Sequence, residues 1–330
     1  MRKLDGFTRG VNFGGWLSQC DHTKKRYDTF ITEDDFKAVS ERGFDHVRVP
    51  VDYELFEDDN MNFEEEGFKY IDFAIAMCKK YSIKMILDLH RTPGYSFDPF
   101  HGEKGFFEDE KYQEHFYVIW EELAKRYGDE YETVVFELLN EVTKKEYCDT
   151  WNRVSTETIK KIRAIAPDIR IIVGGYYNNS LEAVRDLAMP YDDKIIYTFH
   201  CYEPLLFTHQ GAYWIATMDH DFRCEYKMPY SQYEELSQKY LCQAYCSFKG
   251  YDPDAVPDEA YFDNLLQDAI KVAEERNVPL YCGEYGVIDK ADRKDAALWF
   301  KDFHSVMDRY GIGRAVWNYK EMDFEIAKDF

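Results

Sequence analysis

The stretch Phe136-Glu137-Leu138-Leu139-Asn140-Glu141-Val142 decides the fold that the sequence predicts. It continues the run of residues 133–136 and ends in two polar side chains, Asn140 and Glu141. A continuous apolar run is typical of a strand that is buried on both faces, as strands of parallel sheets are. A carboxylate at the end of such a strand costs free energy unless it is paired or takes part in chemistry. Glu141 is therefore a candidate functional residue.

A second stretch, Leu280-Tyr281-Cys282-Gly283-Glu284-Tyr285-Gly286, repeats this arrangement with Glu284 near its end. Around the two stretches, strand and helix signals alternate along the chain. Eight strands alternating with helices predict an α/β fold, a single (β/α)8 TIM barrel that spans residues 1–330. The predicted strands are Val11–Trp16, His46–Pro50, Lys84–His90, Glu132–Asn140, Ile169–Gly174, Lys194–Tyr202, Pro279–Glu284 and Ala315–Tyr319.

The connection after the sixth strand is unusually long. Residues 203–261 stand where a βα loop usually has ~2–6 residues. We predict a helical insertion, a lid or small subdomain, with an amphipathic helix at Glu234–Leu241. A surface insertion without a role, and a clamp made by Cys224, Cys242 and Cys246 through a disulfide or a metal, remain alternatives. The candidate substrate contacts in the insertion are Phe207, His209, Gln210, Tyr213 and Trp214.

The segment after the eighth strand is short. Residues 320–330 make about one short helix at ~1.5 Å per residue, so we predict that the eighth helix is short or missing. The apolar side chains of Phe324, Ile326 and Phe330 would then dock in the groove between the first and seventh helices.

The net charge of −22 argues against nucleic acid or an anionic membrane as a partner, and we expect a monomer. No hydrophobic signal core is present, which predicts a cytoplasmic protein or a secreted one whose leader this sequence lacks.

None of the eight cysteines forms a C-x-x-C pair, so we expect reduced thiols and no zinc site. Asn178-Asn179-Ser180 matches the N-glycosylation sequon, to which we give no weight without a secretory signal.

Polar residues stand at the ends of six predicted strands. In a barrel these ends meet on one rim, where active sites are built. Any one of them has a structural explanation, such as a hydrogen-bonded histidine or an arginine paired with an aspartate, but six together favour a functional site. They are Arg48, Asp88-Leu89-His90, Asn140-Glu141, His200-Cys201-Tyr202, Glu284-Tyr285 and Trp317-Asn318-Tyr319.

These residue types suit cleavage of a glycosidic bond. One carboxyl group must be protonated to donate to the leaving oxygen, and the other must be ionised to attack the anomeric carbon. Burial and a neighbouring carboxylate raise the pKa of the first. Arg48 would keep the second ionised, Trp317 would offer a flat face to a sugar ring, and Asn140 would bind a 2-hydroxyl.

The motifs resemble glycoside hydrolase family five of clan A, and within it the endoglucanase C-like branch of cellulases. The resemblance covers nearly the whole chain. It is carried by Gly14-Gly15-Trp16, His46-Val47-Arg48-Val49-Pro50, Asp88-Leu89-His90, Leu139-Asn140-Glu141, Phe199-His200-Cys201-Tyr202, Thr208-His209-Gln210, Gly283-Glu284-Tyr285-Gly286, Ala315-Val316-Trp317-Asn318-Tyr319 and Met322-Asp323-Phe324-Glu325-Ile326.

The resemblance implies a retaining endo-β-1,4-glucanase that acts on cellulose-type and mixed-linkage β-glucans without a cofactor or metal. Glu141 would be the acid/base and Glu284 the nucleophile. The resemblance further implies that Arg48 and Tyr202 support Glu284, that His200 lies beside the acid/base, and that His90, Asn140 and Trp317 line the −1 sugar site.

Three alternatives remain open. A β-mannanase or broad glucomannan hydrolase would use the same apparatus. A carbohydrate-binding protein that has lost catalysis is disfavoured because both carboxylates are present. A metal-dependent barrel hydrolase could use His90, His200 and a carboxylate, but the sequence lacks a third histidine at a strand end and any H-x-H pair.

Overall fold

Eight parallel strands close into a barrel in the computed structural model, which describes residues 1–98, 100–241, 248 and 250–326. Each strand pairs with the next along the chain, and the last pairs with the first, so the predicted TIM barrel is confirmed. The strands are β1 (Arg9–Asn12), β2 (His46–Asp52), β3 (Lys84–Arg91), β4 (Val134–Glu137), β5 (Arg170–Val173), β6 (Ile195–Cys201), β7 (Leu280–Tyr285) and β8 (Gly313–Val316).

Helices cover the outside of the barrel, and none in the described part of the chain has the length and apolar character needed to cross a membrane. Asp109, Asp258 and Asp292 start three of them, since each side chain accepts a hydrogen bond from a first-turn N–H. The α-helices are Lys24–Thr29, Glu33–Glu41, Glu65–Lys80, Glu110–Tyr127, Cys148–Ile165, Leu205–Thr208, Tyr230–Tyr240, Glu259–Glu275 and Arg293–Tyr310, and the 3₁₀ turns are Tyr53–Leu55, Gly128–Glu130, Lys145–Tyr147 and Leu181–Asp186.

The interior of the barrel is layered. Along β3, the side chains of Ile86, Asp88 and His90 share the inward face, as the period of two in a strand requires. Ile86 belongs to an apolar cluster that fills one end of the barrel, and Asp88 lies above it in contact with Arg48. The cluster contains Leu4, Phe7, Ile86, Val135, Ile172, Ile196, Tyr281 and Ala315. The charged residues therefore lie between this apolar cluster and the rim of the barrel.

A register shift re-aims one of the rim residues. The pairing of β6 with β7 slips between Phe199 and His200, so that His200 lies opposite Glu284 rather than Gly283. Such irregularities commonly turn a side chain towards a site. Here the shift brings an imidazole beside a buried carboxylate.

The segment after β8 folds back over the catalytic end of the barrel. Residues 317–326, the part of this segment that the structure describes, contain no helix. The expected docking of Phe324 between the first and seventh helices is wrong, because its ring packs against Tyr202, His209 and Trp214 at the rim. Backbone hydrogen bonds of Asn318 with residues 324 and 326 hold the segment there. Phe330 lies outside the described residues.

In its described residues the insertion after β6 contains the helices Leu205–Thr208 and Tyr230–Tyr240, and the second of these is the amphipathic helix expected at Glu234–Leu241. The insertion is attached to the helix Arg293–Tyr310 of the barrel through Asp302. The Asp302 carboxylate accepts hydrogen bonds from Lys227 Nζ at 2.6 Å and from Tyr226 Oη at 3.2 Å. Cys224 is a free thiol, whereas Cys242 and Cys246 lie outside the described residues.

Candidate active site

Glu141 and Glu284 face each other across the rim. His200 lies between them, with its Nδ1 at 2.8 Å from Glu141 Oε1 and at 3.5 Å from Glu284 Oε2. One oxygen of each carboxylate and a ring nitrogen of His200 all lie within 4.8 Å of one another. Retaining glycosidases hold their carboxyl groups ~5–5.5 Å apart, whereas inverting enzymes need ~6.5–9.5 Å to fit a water molecule. An oxygen-to-oxygen distance below 4.8 Å is shorter than the inverting range and favours the retaining arrangement.

The backbone after β4 turns sharply to present Glu141. Its φ of +43° lies in the left-handed region, which a residue with a Cβ rarely adopts. Two contacts hold this conformation: Asn140 N donates to Leu89 O at 3.1 Å, and Tyr95 Oη donates to Glu141 O at 2.7 Å. The Glu141 side chain is thereby fixed over the barrel mouth.

Arg48 is the charged centre of the site and is fully buried. Its guanidinium lies 2.8 Å from Glu284 Oε1, 2.7 Å from Glu137 Oε2 and 3.0 Å from Asp88 Oδ2. Two amides complete its shell, since Asn12 Oδ1 and Asn140 Oδ1 accept from Nη1 and Nη2 at 3.0 and 2.9 Å. Every N–H group of Arg48 thus points at an acceptor, and the positive charge lies directly beneath Glu284.

The environments of the two carboxylates differ. Both oxygens of Glu284 receive strong donors, because Tyr202 Oη donates to Oε2 at 3.0 Å while Arg48 binds Oε1. Both contacts stabilise a negative charge. Burial instead raises the pKa of Glu141, which the hydrogen bond from Asn178 only partly offsets. The arrangement supplies one carboxyl group suited to donate a proton and one whose two oxygens are both held by donors.

His200 is neutral at neutral pH because burial lowers its pKa to about 4. Its Nε2 faces the amide nitrogen of Asn179 at 3.3 Å, which makes Nε2 the acceptor and leaves Nδ1 to donate to Glu141. The imidazole therefore holds the acid/base candidate without adding a charge beside it.

His90 and Trp317 form the other wall. Their rings are parallel, with centroids 6.1 Å apart, and His90 Nδ1 lies 2.6 Å from Asp88 Oδ2. Burial lowers the pKa of His90 to about 4 and raises that of Asp88 to about 7. Gly14 makes room for the indole, because a Cβ at that position would overlap the Trp317 ring. These residues, with Asn140, enclose the space above Arg48.

The insertion contributes a mixed set of side chains to the rim. His209 and Trp214 are partly exposed, and the His209 ring lies 5.0 Å from the ring of Tyr202. Phe207, expected to be a stacking platform, is fully buried against Tyr226 because its helical turn packs into the core of the insertion. Gln210 is also buried rather than at a polar tip. Tyr213 is 63% exposed.

Five contributing residues were not predicted from the sequence: Asn12, Tyr95, Glu137, Asn178 and Asn179. Glu137 carried a readable signal, since a glutamate in the middle of an apolar strand demands a buried partner. Asn178 matched only a glycosylation sequon, yet its amide donates to Glu141 Oε2 at 2.9 Å. No sequence pattern predicted that contact.

In the described part of the chain, two groups of side chains each bring three possible metal ligands together. In the first, His22, Asp52 and Glu54, the Arg91 guanidinium already provides the cation, at 3.2 Å from Asp52 and 2.6 Å from Glu54. The second is the cluster of Glu141, His200 and Glu284. All four of its carboxylate oxygens already have a donor from the protein. The hydrogen bonds favour acid–base chemistry in the second cluster.

The alternative metal site with His90 is not formed. His90 directs Nδ1 at Asp88 and Nε2 at Asn140, at 2.6 and 3.4 Å, so neither ring nitrogen points at His200. His90 is accordingly part of the wall of the site and not of the cluster between the two carboxylates.

Comparisons with known proteins show the family to which the chain is similar. Residues 7–323 match the family model described as cellulase (glycosyl hydrolase family 5). Cellodextrinase A of Ruminococcus flavefaciens is 42% identical over 95% of this chain and 86% of its own length. Endoglucanase C of Acetivibrio thermocellus is 42% identical over 98% of this chain and 94% of its own.

A solved structure supports the fold. The endoglucanase Cel5A of Thermotoga maritima superposes with a TM-score of 0.76 at 24% identity, and the match covers 97% of this chain and 91% of that one. The family model spans nearly the whole sequence, and both relatives are 42% identical over most of this chain and of their own length. The chain therefore belongs to glycosyl hydrolase family 5 and is a glycoside hydrolase.

Proposed function

We propose that this enzyme hydrolyses internal β-1,4 bonds of cellulose-type and mixed-linkage β-glucans with retention of configuration. The observation that carries the proposal is the pairing of Glu141 with Glu284 within 4.8 Å, one raised in pKa and the other held by two donors. A single domain provides the whole machinery, and its insertion at residues 203–261 forms one end of the substrate cleft.

In the first step Glu284 is the nucleophile. Its Oε2, the oxygen nearest His200, attacks the anomeric carbon while the bond from that carbon to the leaving oxygen breaks. Glu141 gives its proton to the leaving oxygen, so the shortened chain departs as a neutral alcohol. The products are a glycosyl ester on Glu284 and an ionised Glu141.

The second step reverses the roles. Glu141, now a carboxylate, takes a proton from a water molecule whose oxygen attacks the anomeric carbon. The ester bond to Glu284 breaks, and its negative charge returns beside Arg48 and Tyr202. Since the two attacks occur on opposite faces of the sugar, the product keeps the original configuration.

The supporting residues bind charge and sugar. Arg48 and Tyr202 stabilise the leaving Glu284 carboxylate, and His200 orients Glu141 through its Nδ1–H. We assign His90, Asn140 and Trp317 to the sugar that undergoes cleavage. His209 and Trp214 extend the surface towards the insertion, whereas the burial of Phe207 removes it from this set.

The choice of glucan rests on the relatives, whose names are Cellodextrinase A and Endoglucanase C. The partner is thus a β-glucan polysaccharide or oligosaccharide bound by a monomer. The net charge of −22 does not oppose the binding of such a neutral substrate, whereas it disfavours the binding of nucleic acid and anionic membranes. Mannan or glucomannan activity is the alternative that the substrate test must separate.

The test is release of reducing ends from carboxymethyl cellulose, mixed-linkage glucan, glucomannan, mannan and xylan, with and without chelator. We expect the first two to be cleaved and the chelator to have no effect. Glu284→Ala should lose nearly all activity, whereas Glu141→Ala should keep more activity on aryl glycosides with good leaving groups. Faster cleavage of mannan than of glucan, or inhibition by the chelator, would contradict the proposal.

A further inference from the structure

The turn after β5 has an unusual backbone. Tyr177, Asn178 and Asn179 have φ of +51°, +58° and +55°, three successive residues in the left-handed region. Side chains with a Cβ disfavour this region, although asparagine tolerates it better than most. The turn is tied to the segment after β4 by a backbone hydrogen bond from Asn178 N to Val142 O at 3.0 Å. The backbone thus fixes the turn against the residue that follows Glu141.

The turn delivers two amides to two functional groups. Asn178 Nδ2 donates to Glu141 Oε2 at 2.9 Å, and Asn179 Nδ2 lies 3.3 Å from His200 Nε2. Asn179 is fully buried, and Gly174 leaves the room for it, because a Cβ there would overlap its amide. Adjacent residues of one turn therefore hold the two members of the Glu141–His200 pair.

We propose that Asn178 is a positioning residue for Glu141, which it holds in the orientation for proton transfer and stabilises in the ionised form. The inference rests on the proposed function of Glu141 as acid/base. It adds a contact from β5 to a group otherwise held from β6 by His200. With both oxygens of Glu141 fixed, the carboxyl group cannot rotate about its terminal bond without losing a hydrogen bond.

An amide N–H favours the carboxylate over the carboxylic acid, because only the carboxylate offers a full negative charge to the donor. This contact opposes the effect of burial, which raises the pKa of Glu141. The balance matters because Glu141 must be protonated in the first step and ionised in the second. The other titratable or charged groups around Glu141 are Arg48, Asp88, His90, Tyr95, His200, Tyr202 and Glu284.

The test uses two variants at this position. Asn178→Gly removes the amide and suits a φ of +58°, so it deletes the contact without straining the turn. Asn178→Asp keeps the size and the left-handed tolerance but replaces the donor with a second carboxylate. Asn277→Gly is the matched control, since Asn277 is an exposed residue with φ +52° in the turn before β7, at the opposite end of the barrel.

The measurement is the pH profile of kcat/KM on cellotetraose and on 2,4-dinitrophenyl β-cellobioside. For Asn178→Gly we expect the alkaline limb on cellotetraose to move up by about one pH unit, and further for Asn178→Asp. At the optimum, cellotetraose should lose about tenfold, whereas the aryl substrate, which needs no protonation, should stay within about twofold. Asn277→Gly should match the parent enzyme.

An alkaline limb that stays in place in both variants would overturn the inference, as would equal losses on the two substrates. Equal losses would show that the side chain only supports the fold. Hydrolysis of cellotetraose by the parent enzyme reports on the proposed function separately, because only the difference between variant and parent reports on Asn178. If Asn178→Gly fails to fold, the position of the alkaline limb in Asn178→Asp tests the inference by itself.

Discussion

Arg48 and Glu137 form a fully buried two-point ion pair beneath the two carboxylates, with Nε–Oε2 at 2.7 Å and Nη2–Oε1 at 3.1 Å. This geometry fixes the plane of the guanidinium and hence the direction of the third nitrogen, Nη1, which binds Glu284. Glu137 therefore acts on Glu284 through Arg48. The Glu137 side chain therefore contributes both to the stability of the fold and to the position of the nucleophile.

We predict that Glu137→Gln lowers the free energy of unfolding by about 3–5 kcal/mol, the usual cost of breaking a buried ion pair on one side. Activity should fall with it, because the guanidinium is no longer oriented. Urea unfolding followed by circular dichroism measures the effect. Glu157→Gln is the control, since Glu157 pairs with Lys160 on an exposed helix surface. Equal stability of the two variants would contradict the prediction.

The raised pKa of Glu141 predicts the alkaline limb of the pH profile. As the acid in the first step, Glu141 must carry its proton. Burial raises its pKa above the ordinary glutamate value, so activity persists above that value and is lost as pH rises through the raised pKa. The parent enzyme should show this limb in kcat/KM on cellotetraose but not on 2,4-dinitrophenyl β-cellobioside, which needs no protonation. An equal limb on both substrates would assign it to another group.

Trp214 should contribute to the binding of long substrates. Its ring is partly exposed and lies 5.9 Å from that of His209, beside Tyr202. We expect Trp214→Ala to raise KM for cello-oligosaccharides and polymer about tenfold while leaving a small aryl glycoside unaffected, because stacking on a sugar face is lost. Unchanged KM for polymer would favour a surface insertion without a role in binding.

Phe207 provides the contrast within the same insertion. Because its side chain is fully buried, Phe207→Ala should cost about 3–5 kcal/mol of stability and leave KM of the folded enzyme unchanged. A thermal unfolding scan beside the Trp214→Ala variant separates the two residues. A rise in KM for Phe207→Ala without loss of stability would restore it to the cleft.

Gly14 should be indispensable to the position of Trp317. A Cβ at this residue would overlap the indole, so Gly14→Ala must displace the ring. A misplacement of about 1 Å can cost about 100-fold in rate, and we expect a loss of this order in kcat/KM with little change in unfolding. Tryptophan fluorescence of the variant reports the movement. Full activity in Gly14→Ala would show that Trp317 tolerates displacement.

The barrel and the rim were predictable because both depend on local patterns. Alternating strand and helix signals gave the eight strands, although β4 ends at Glu137 rather than Asn140. Beyond Glu137 the chain keeps backbone hydrogen bonds from Leu138 N to Ile172 O and from Asn140 N to Leu89 O, and it then turns through the left-handed conformation of Glu141. Positions at strand ends likewise placed His90, His200 and Glu284 near one another, since parallel strands share one carboxyl edge. Arg48, expected at a strand end, is instead the third of the seven residues of β2 and lies beneath Glu284.

The remaining features depend on contacts between distant segments. Phe324 packs at the rim because backbone hydrogen bonds of Asn318 turn the terminal segment back, and a sequence pattern does not show which groove an apolar side chain enters. Phe207 and Trp214 look alike as aromatic residues in one insertion, and only its folded core distinguishes them. Asn178 reaches Glu141 across a gap of 37 positions in the chain.

The most direct test of the central claim is the configuration of the first product. Proton NMR of cellotetraose hydrolysis, recorded before mutarotation, shows which anomer is released. Two carboxylates within 4.8 Å predict that the β-anomer appears first and the α-anomer only later, by mutarotation. Initial release of the α-anomer would mean a single displacement, and it would contradict the assignment of Glu284 as nucleophile and Glu141 as acid/base.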